Sequence, residues 1–371
     1  MKIVECVPNI SEGRDREKID KIANSALVGS VRMLDIDPGT ATNRTVITFA
    51  GEPEDVLQGA FELAKAAYEN IDMTTHTGEH PRMGAVDVIP FVPVQGVSME
   101  ECAELARRLG QMIGQHLQVP VYLYEYAASK PERKSLSAVR QGEYEALPEK
   151  LKDPSNAPDF GPAEFVPSFG AVAVGARQFL IAYNINLNTK NKKLASQIAV
   201  RLRESGYKKR DQNGKFVYDA DGNPVMEPGR FKHCKAVGWF IEEFGIAQVS
   251  INLTDFTVTP MHAVFDEACK LAEERGLRVT GSEIVGLVPK EALLDSGRYY
   301  LKKQGASLGI PEREIMQVAV KSLGLSELYD FKIKEKVIEE RVLQEKPLAT
   351  MPLAQFIDTV STDAPAPGGG S

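Results

Sequence analysis

Gly78-Glu79-His80-Pro81-Arg82-Met83-Gly84 runs directly into Ala85-Val86-Asp87-Val88-Ile89-Pro90-Phe91-Val92-Pro93, and the reading of this stretch decides the fold. The apolar run reads as a buried strand with turn-forming residues ahead of it. Pro81 disfavours the helical region for His80, and the glycines let the backbone turn sharply. His80 is therefore expected on a loop at a strand edge and not on a helix face. An imidazole titrates near working pH, and loops on a rigid scaffold commonly carry chemistry. A histidine that only caps a strand by hydrogen bonding is the plain alternative.

Outward from this loop, residues 2–7 alternate as a strand that Pro8-Asn9 breaks. Residues 15–27 follow as a helix with Ile19, Ile22, Ala23 and Ala26 on one face. Residues 31–37 and 44–50 read as two strands joined by a polar turn, and Pro53 opens a helix to residue 68. With residues 86–92 as the fourth strand, the order is β-α-β-β-α-β. That order returns: a strand within 171–187, a helix over 190–204, strands over 233–241 and 246–253, a helix over 260–275 and a strand over 277–282. Two such units predict an α+β protein built from two ferredoxin-like (βαββαβ) subdomains, each an antiparallel sheet with helices on one face. Their free faces would meet and enclose a cleft.

Between and beyond the repeats, residues 99–117 make an amphipathic helix and 129–151 a charged segment that is helical in pieces. In Gly161-Pro162-Ala163-Glu164-Phe165-Val166-Pro167-Ser168-Phe169-Gly170, aromatics alternate with glycine and proline, which build neither a long helix nor a central strand. The segment is either a linker with apolar anchors or a rigid loop lining a site for a flat ligand. Residues 211–229 carry N-G and D-G signals of an exposed hairpin. A helix over 311–323 precedes a helical linker whose stripe is Phe331, Lys334, Ile338 and Val342. Residues 361–371 offer nothing to a core and are expected to be disordered.

The 371 residues suit two compact units, and a net charge of -7 argues against general nucleic-acid binding. Cys6, Cys102, Cys234 and Cys269 form no C-x-x-C pair, so they read as reduced thiols of a cytoplasmic protein. The N-terminus turns polar too early for a signal peptide, and no run approaches the roughly 18 apolar residues of a membrane span.

Val4-Glu5-Cys6-Val7-Pro8-Asn9-Ile10-Ser11-Glu12-Gly13, Thr42-Asn43-Arg44-Thr45-Val46, the loop around His80, residues 158–170, Asn184-Ile185-Asn186-Leu187 and residues 281–289 together resemble the glutamate formimidoyltransferase (formiminotransferase) domain. The resemblance spans nearly all of residues 1–330, with an N-terminal subdomain over 1–170 and a C-terminal one over 171–330. It implies two facing ferredoxin-like subdomains around a folate tunnel, a homodimer, and no metal. Residues 331–371 then form a helical linker and tail, and Ala364 to Ser371 resemble the start of a cyclodeaminase domain. The expectation is a truncated or split bifunctional enzyme, with an engineered tail as the alternative; the cyclodeaminase activity itself is not assigned.

The implied reaction moves a formimino group from N-formimino-L-glutamate to position five of tetrahydrofolate, the co-substrate, in histidine breakdown. The attacking nitrogen must lose a proton and the departing glutamate amine must gain one, and a single imidazole can do both. The resemblance makes His80 that group. Asp37, ahead of Pro38-Gly39, is the candidate to orient His80 or hold a cationic formimino group. Arg44 and Arg82 are candidates to grip substrate carboxylates through paired hydrogen bonds. The resemblance makes residues 161–170 the folate-binding segment, with Phe165 and Phe169 against the rings. A donor carrying a formyl group, N-formylglutamate, and a non-catalytic folate-binding sensor are the alternatives.

Overall fold

The computed structural model describes residues 2–40, 42–78, 80–342 and 352–361, and the tail expected to be disordered beyond residue 361 lies outside them. The chain divides into two compact units, Met1–Gln178 and Phe179–Ser371.

In the first unit, β1 (Ile3–Cys6) and β2 (Asn9–Ile10) are one strand interrupted at Val7-Pro8. α1 (Arg16–Ser25) starts at Asp15, whose side chain accepts from the Lys18 amide. β3 (Arg32–Gly39) and β4 (Arg44–Gly51) pair antiparallel, and α2 (Pro53–Asn70) opens on a proline whose missing N–H costs nothing in the first turn. β5 (Val86–Gln95) completes the first four-strand set. Their lateral order is β3, β4, β1/β2, β5, that is, second, third, first, fourth, with every pair antiparallel.

The sheet does not stop there. α3 (Met99–His116), held at its start by a capping box between Ser98 and Glu101, leads to β6 (Val121–Glu125). α4 (Leu136–Val139) and α5 (Glu143–Lys150) follow, and β7 (Val172–Ala176) then inserts between β5 and β6, parallel to both. The expectation of a purely antiparallel sheet with helices on one face is therefore corrected. Long crossovers permit parallel neighbours, and a parallel strand buried on both faces can be apolar throughout, as Val-Ala-Val-Gly-Ala is. The expected boundary at 170 moves for the same reason, because the strand at 172–176 belongs to the first unit.

One face of this sheet packs Ile47, Phe49, Ile89, Phe91, Leu123 and Val174 against Ile22, Leu63, Leu109 and Ile113 of the helices. Each such side chain contributes about 1.5–3 kcal/mol on burial. On the opposite face Val88, Tyr122, Tyr124 and Ala173 pack against Val139, Leu147 and Leu151. That cover reaches only the β5-β7-β6 end. Because Ile47 and Phe49 point to the helices, Arg44, Val46 and Thr48 point the other way. Asp37, paired opposite Val46, shares their face.

The second unit repeats the first permutation. β8 (Ile181–Leu187), α6 (Lys192–Leu202), the short β9 (Tyr207–Lys208) and β10 (Met226–Glu227) ribbon, β11 (Cys234–Ile241), β12 (Ile246–Leu253), α7 (Met261–Glu273) and β13 (Val279–Val285) form an antiparallel sheet in the order β11, β12, β8, β13. The expected hairpin is present, with left-handed Gly214 and Gly222 in its turns (φ +77° and +81°). α8 (Lys290–Lys303), absent from the sequence reading, and α9 (Glu312–Ser322) pack together. The expected linker helix is instead α10 (Ile333–Lys336) and α11 (Ile338–Val342), broken where Val337 turns extended and bridges Val288. Phe331, Ile333, Val337, Ile338 and Val342 are buried and Lys334 is exposed, so 331–342 is part of the unit and not a free linker. α12 (Leu353–Val360) is the last described helix.

Candidate active site

Three loops of the first unit are clasped together through Asn43. Its left-handed backbone (φ +47°) turns the side chain so that Oδ1 accepts from the Gly13 amide at 3.0 Å and Nδ2 donates to the Thr77 carbonyl at 2.9 Å. The Thr45 hydroxyl donates to the Glu12 carbonyl from the same turn. A Cβ on Gly78 would lie 2.2 Å from the Thr42 carbonyl oxygen, so only glycine allows this approach. The sequence suggested a sharp turn at Gly78 and Gly84, but neither has a positive φ, and what both provide is close contact.

The clasp sets the half-buried His80 ring against Arg44. Nδ1 lies 2.7 Å from the Pro81 carbonyl oxygen and Nε2 lies 3.1 Å from Arg44 Nη1. A carbonyl only accepts and a guanidinium only donates, so both contacts require the same neutral tautomer, with the proton on Nδ1 and the lone pair on Nε2. Burial lowers the His80 pKa, the Arg44 charge lowers it further, and the Pro81 contact opposes them. The site thus holds an unprotonated imidazole at neutral pH.

Arg44 in turn faces Asp87, with Nη2 3.8 Å from Oδ2. Asp87 is fully buried and accepts from the Met83 amide at 3.1 Å, from Arg140 Nε at 3.1 Å and from Arg140 Nη2. Asp87 and Arg140 were not among the sequence candidates. A lone carboxylate inside the apolar run 86–92 was the available signal for Asp87, since a buried charge demands partners. Nothing local marked Arg140.

The other candidates fall in different places. Asp37 is exposed on the Arg44 face of the sheet, and the carboxylate beside the His80–Arg44 pair is Asp87. Arg82 is buried and already holds Glu145 through two hydrogen bonds of 2.9 and 2.7 Å, with Glu143 at 3.4 Å. Its Nε donates to His76 Nδ1 at 3.3 Å, and His76 Nε2 donates to the Asn43 carbonyl at 2.9 Å. Arg82 and His76 therefore tie the loop down, and the guanidinium is not free for a substrate carboxylate.

The segment 161–170 does meet the His80 loop. The Ala85 amide donates to the Phe169 carbonyl at 2.7 Å, the Ala171 amide donates to the Met83 carbonyl at 3.1 Å, and Gly84 bridges Gly170. Gly170 is left-handed (φ +80°), and a Cβ there would lie 2.3 Å from the Met83 carbonyl oxygen. Gly161, Ala163, Glu164, Pro167 and Ser168 are exposed, Pro162, Phe165 and Val166 are half-buried, and Phe165 lies 5.4 Å from the Tyr144 ring. Phe169 corrects its expectation: only 1% exposed, it is part of the hydrophobic core and offers no face to a ligand.

The second sheet carries a different polar set, of which Asn184, Asn186 and Gln248 are buried. Asn184 Nδ2 donates to Glu283 at 3.2 Å, and Gln248 Nε2 donates to Asn186 at 2.8 Å. Trp239 Nε1 donates to Gln248 at 3.0 Å and Tyr329 to Glu283 at 3.1 Å. A cavity of about 850 Å³ in this unit, lined by Arg201, Tyr207, Arg210, Phe216 and Arg275, contains none of the candidates. Among the described residues no cluster of histidine, cysteine or carboxylate groups is arranged for a metal.

Two family descriptions match in tandem: the formiminotransferase domain, N-terminal subdomain, over residues 3–177, and the formiminotransferase domain over residues 182–343. The formimidoyltransferase-cyclodeaminase of Sus scrofa is 51% identical over 338 residues, 91% of this chain and 59% of that protein. The glutamate formimidoyltransferases of Thermoplasma acidophilum and Streptococcus pyogenes serotype M1 are 42% and 41% identical, covering 86% and 81% of this chain and 99% and 94% of theirs. The chain thus spans less than two thirds of the Sus scrofa relative and nearly the whole length of the shorter ones. On these matches, the chain belongs to the formiminotransferase family.

Proposed function

We propose that the chain transfers the formimino group of N-formimino-L-glutamate to N5 of tetrahydrofolate, releasing L-glutamate, as a step of histidine degradation. The observation that carries this reading is the fixed tautomer of His80, with Nδ1–H anchored on the Pro81 carbonyl and the unprotonated Nε2 turned to Arg44. In the reaction N5 bonds to the amidine carbon and the carbon–nitrogen bond to glutamate breaks. His80 Nε2 takes the N5 proton and returns it to the departing amine, so no redox group or metal is required. Such general acid–base transfer is worth about 10²–10⁴ in rate, and holding both substrates together supplies much of the rest.

In this reading Arg44 receives a donor carboxylate, and residues 161–170, stitched to the His80 loop, form one wall for the folate with Phe165 as its aromatic. Asp37, on the same sheet face as Arg44, is the candidate for the cationic formimino group. Tetrahydrofolate is the co-substrate, two split-βαβ subdomains are the frame, and a homodimer in the cytoplasm is the expected setting, in keeping with the four unpaired thiols.

Absorbance assays with tetrahydrofolate and either donor test the reading. Turnover with formiminoglutamate is expected. Turnover confined to N-formylglutamate replaces the donor, and no turnover with either donor, with folate still bound, overturns the enzyme in favour of a sensor.

A further inference from the structure

Arg44 stands in an unusual relation to the base. Its Nη1 donates to His80 Nε2, the one acceptor on that ring, because Nδ1 donates to Pro81. The lone pair needed for proton transfer is therefore covered by a cation. We propose that Arg44 is a removable cap on His80: a carboxylate of the donor substrate draws the guanidinium off Nε2, so that the base is uncovered when the donor is in place. The inference rests on the reading of His80 as the base.

Three features of Arg44 make it movable. Its contact with Asp87 is long, 3.8 Å, while Asp87 is satisfied by Arg140 and the Met83 amide. Its Nε is buried with no hydrogen-bond partner. Its best acceptor is a neutral imidazole, whereas a carboxylate offers two charge-assisted bonds in the fork geometry that guanidinium prefers. A donor carboxylate that engages Nε and Nη together would satisfy the orphaned N–H and take Nη1 from the ring in one movement.

The charges facing His80 are Arg44 from β4, Asp87 from β5 and Arg140 from the turn after α4. Neutralising Arg44 removes the nearest positive charge, so the ring becomes more basic as it is uncovered. Donor binding would then both expose and strengthen the base. A proton would not be lost to solvent from a site holding tetrahydrofolate alone.

The test is an NMR titration of the His80 ring on the full chain, assigned by comparison with His80→Asn, using L-glutamate as the probe because it carries the donor's carboxylates. Saturating glutamate is expected to raise the titration midpoint by about one pH unit. Arg44→Met is expected to start at the raised midpoint, to be unaffected by glutamate, and to show a KM for formiminoglutamate at least about tenfold higher. A midpoint that glutamate up to its solubility does not move, or an Arg44→Met ring that titrates like the unmutated one, overturns the cap. The transfer assay reads independently. Turnover without the shift removes the cap and leaves the transferase; the shift without turnover supports the cap and removes the transferase.

Discussion

The two units share one strand permutation and differ in the state of the polar groups their sheets carry. In the second unit, Asn184, Asn186, Gln248 and Glu283 are joined to Trp239 and Tyr329 in a network in which donors meet acceptors. In the first, Arg44 carries an unpartnered Nε, the one lone pair of His80 is met by that same cation, and Asp37 is exposed. Satisfied networks rigidify, while incompletely matched charges are what a ligand can complete. A shared fold therefore says little about where the chemistry is, and the unequal state of the polar groups says more.

The largest expected effect that sharpens this contrast is at His80. His80→Asn should lower kcat by about 10²–10⁴. The thermal midpoint should stay near that of the unmutated chain, because among the described residues the half-buried ring hydrogen-bonds to Pro81 and Arg44 alone. Gly84→Ala comes next: its Cβ would lie 2.4 Å from the carbonyl oxygens of both Phe169 and Ala171. Forcing that overlap should cost about 1–3 kcal/mol in urea unfolding and separate the 161–170 segment from the His80 loop. In the second unit, Gln248→Ala should destabilise by about 1–3 kcal/mol by leaving buried partners unpaired. Turnover reduced a hundredfold at unchanged stability would break the contrast and make that network a site.

Much of this arrangement was legible in the sequence. Hydrophobic periodicity placed strands and helices in both units, and His80 lies off a helix as Pro81 implies. What escaped depends on partners distant in the chain. Residues 171–187 read as holding one strand of the second repeat, but they hold two, and nothing in Val172–Ala176 says that it pairs with β5 and β6. Phe165 and Phe169 look alike in sequence, yet one lies against Tyr144 and the other closes the core. Arg82 reads as free for a ligand until Glu145 is found across from it. Asp87 reads as part of a strand, and only its position between Arg140 and Arg44 gives it a role.

The smallest expected effect is in the pH dependence of stability. His76, His80 and His262 all have pKa values lowered chiefly by burial. The folded state then binds fewer protons than the unfolded one, so their contribution is present above the unfolded value of about 6.5 and falls as pH drops through it. Urea midpoints measured downward from pH 7.5 should decline through that region. The decline should be smaller in His76→Gln, and an unchanged decline in that variant would argue that His76 is not held neutral.

If the proton moves through a neutral His80, the pH profile of kcat/KM for formimino transfer must show it. An acid limb governed by one ionisation below about 6.5, the ordinary imidazole value, is expected, with no such limb in the residual rate of His80→Asn. An acid limb that persists unchanged in His80→Asn, or a variant that turns over at the unmutated rate, would contradict it.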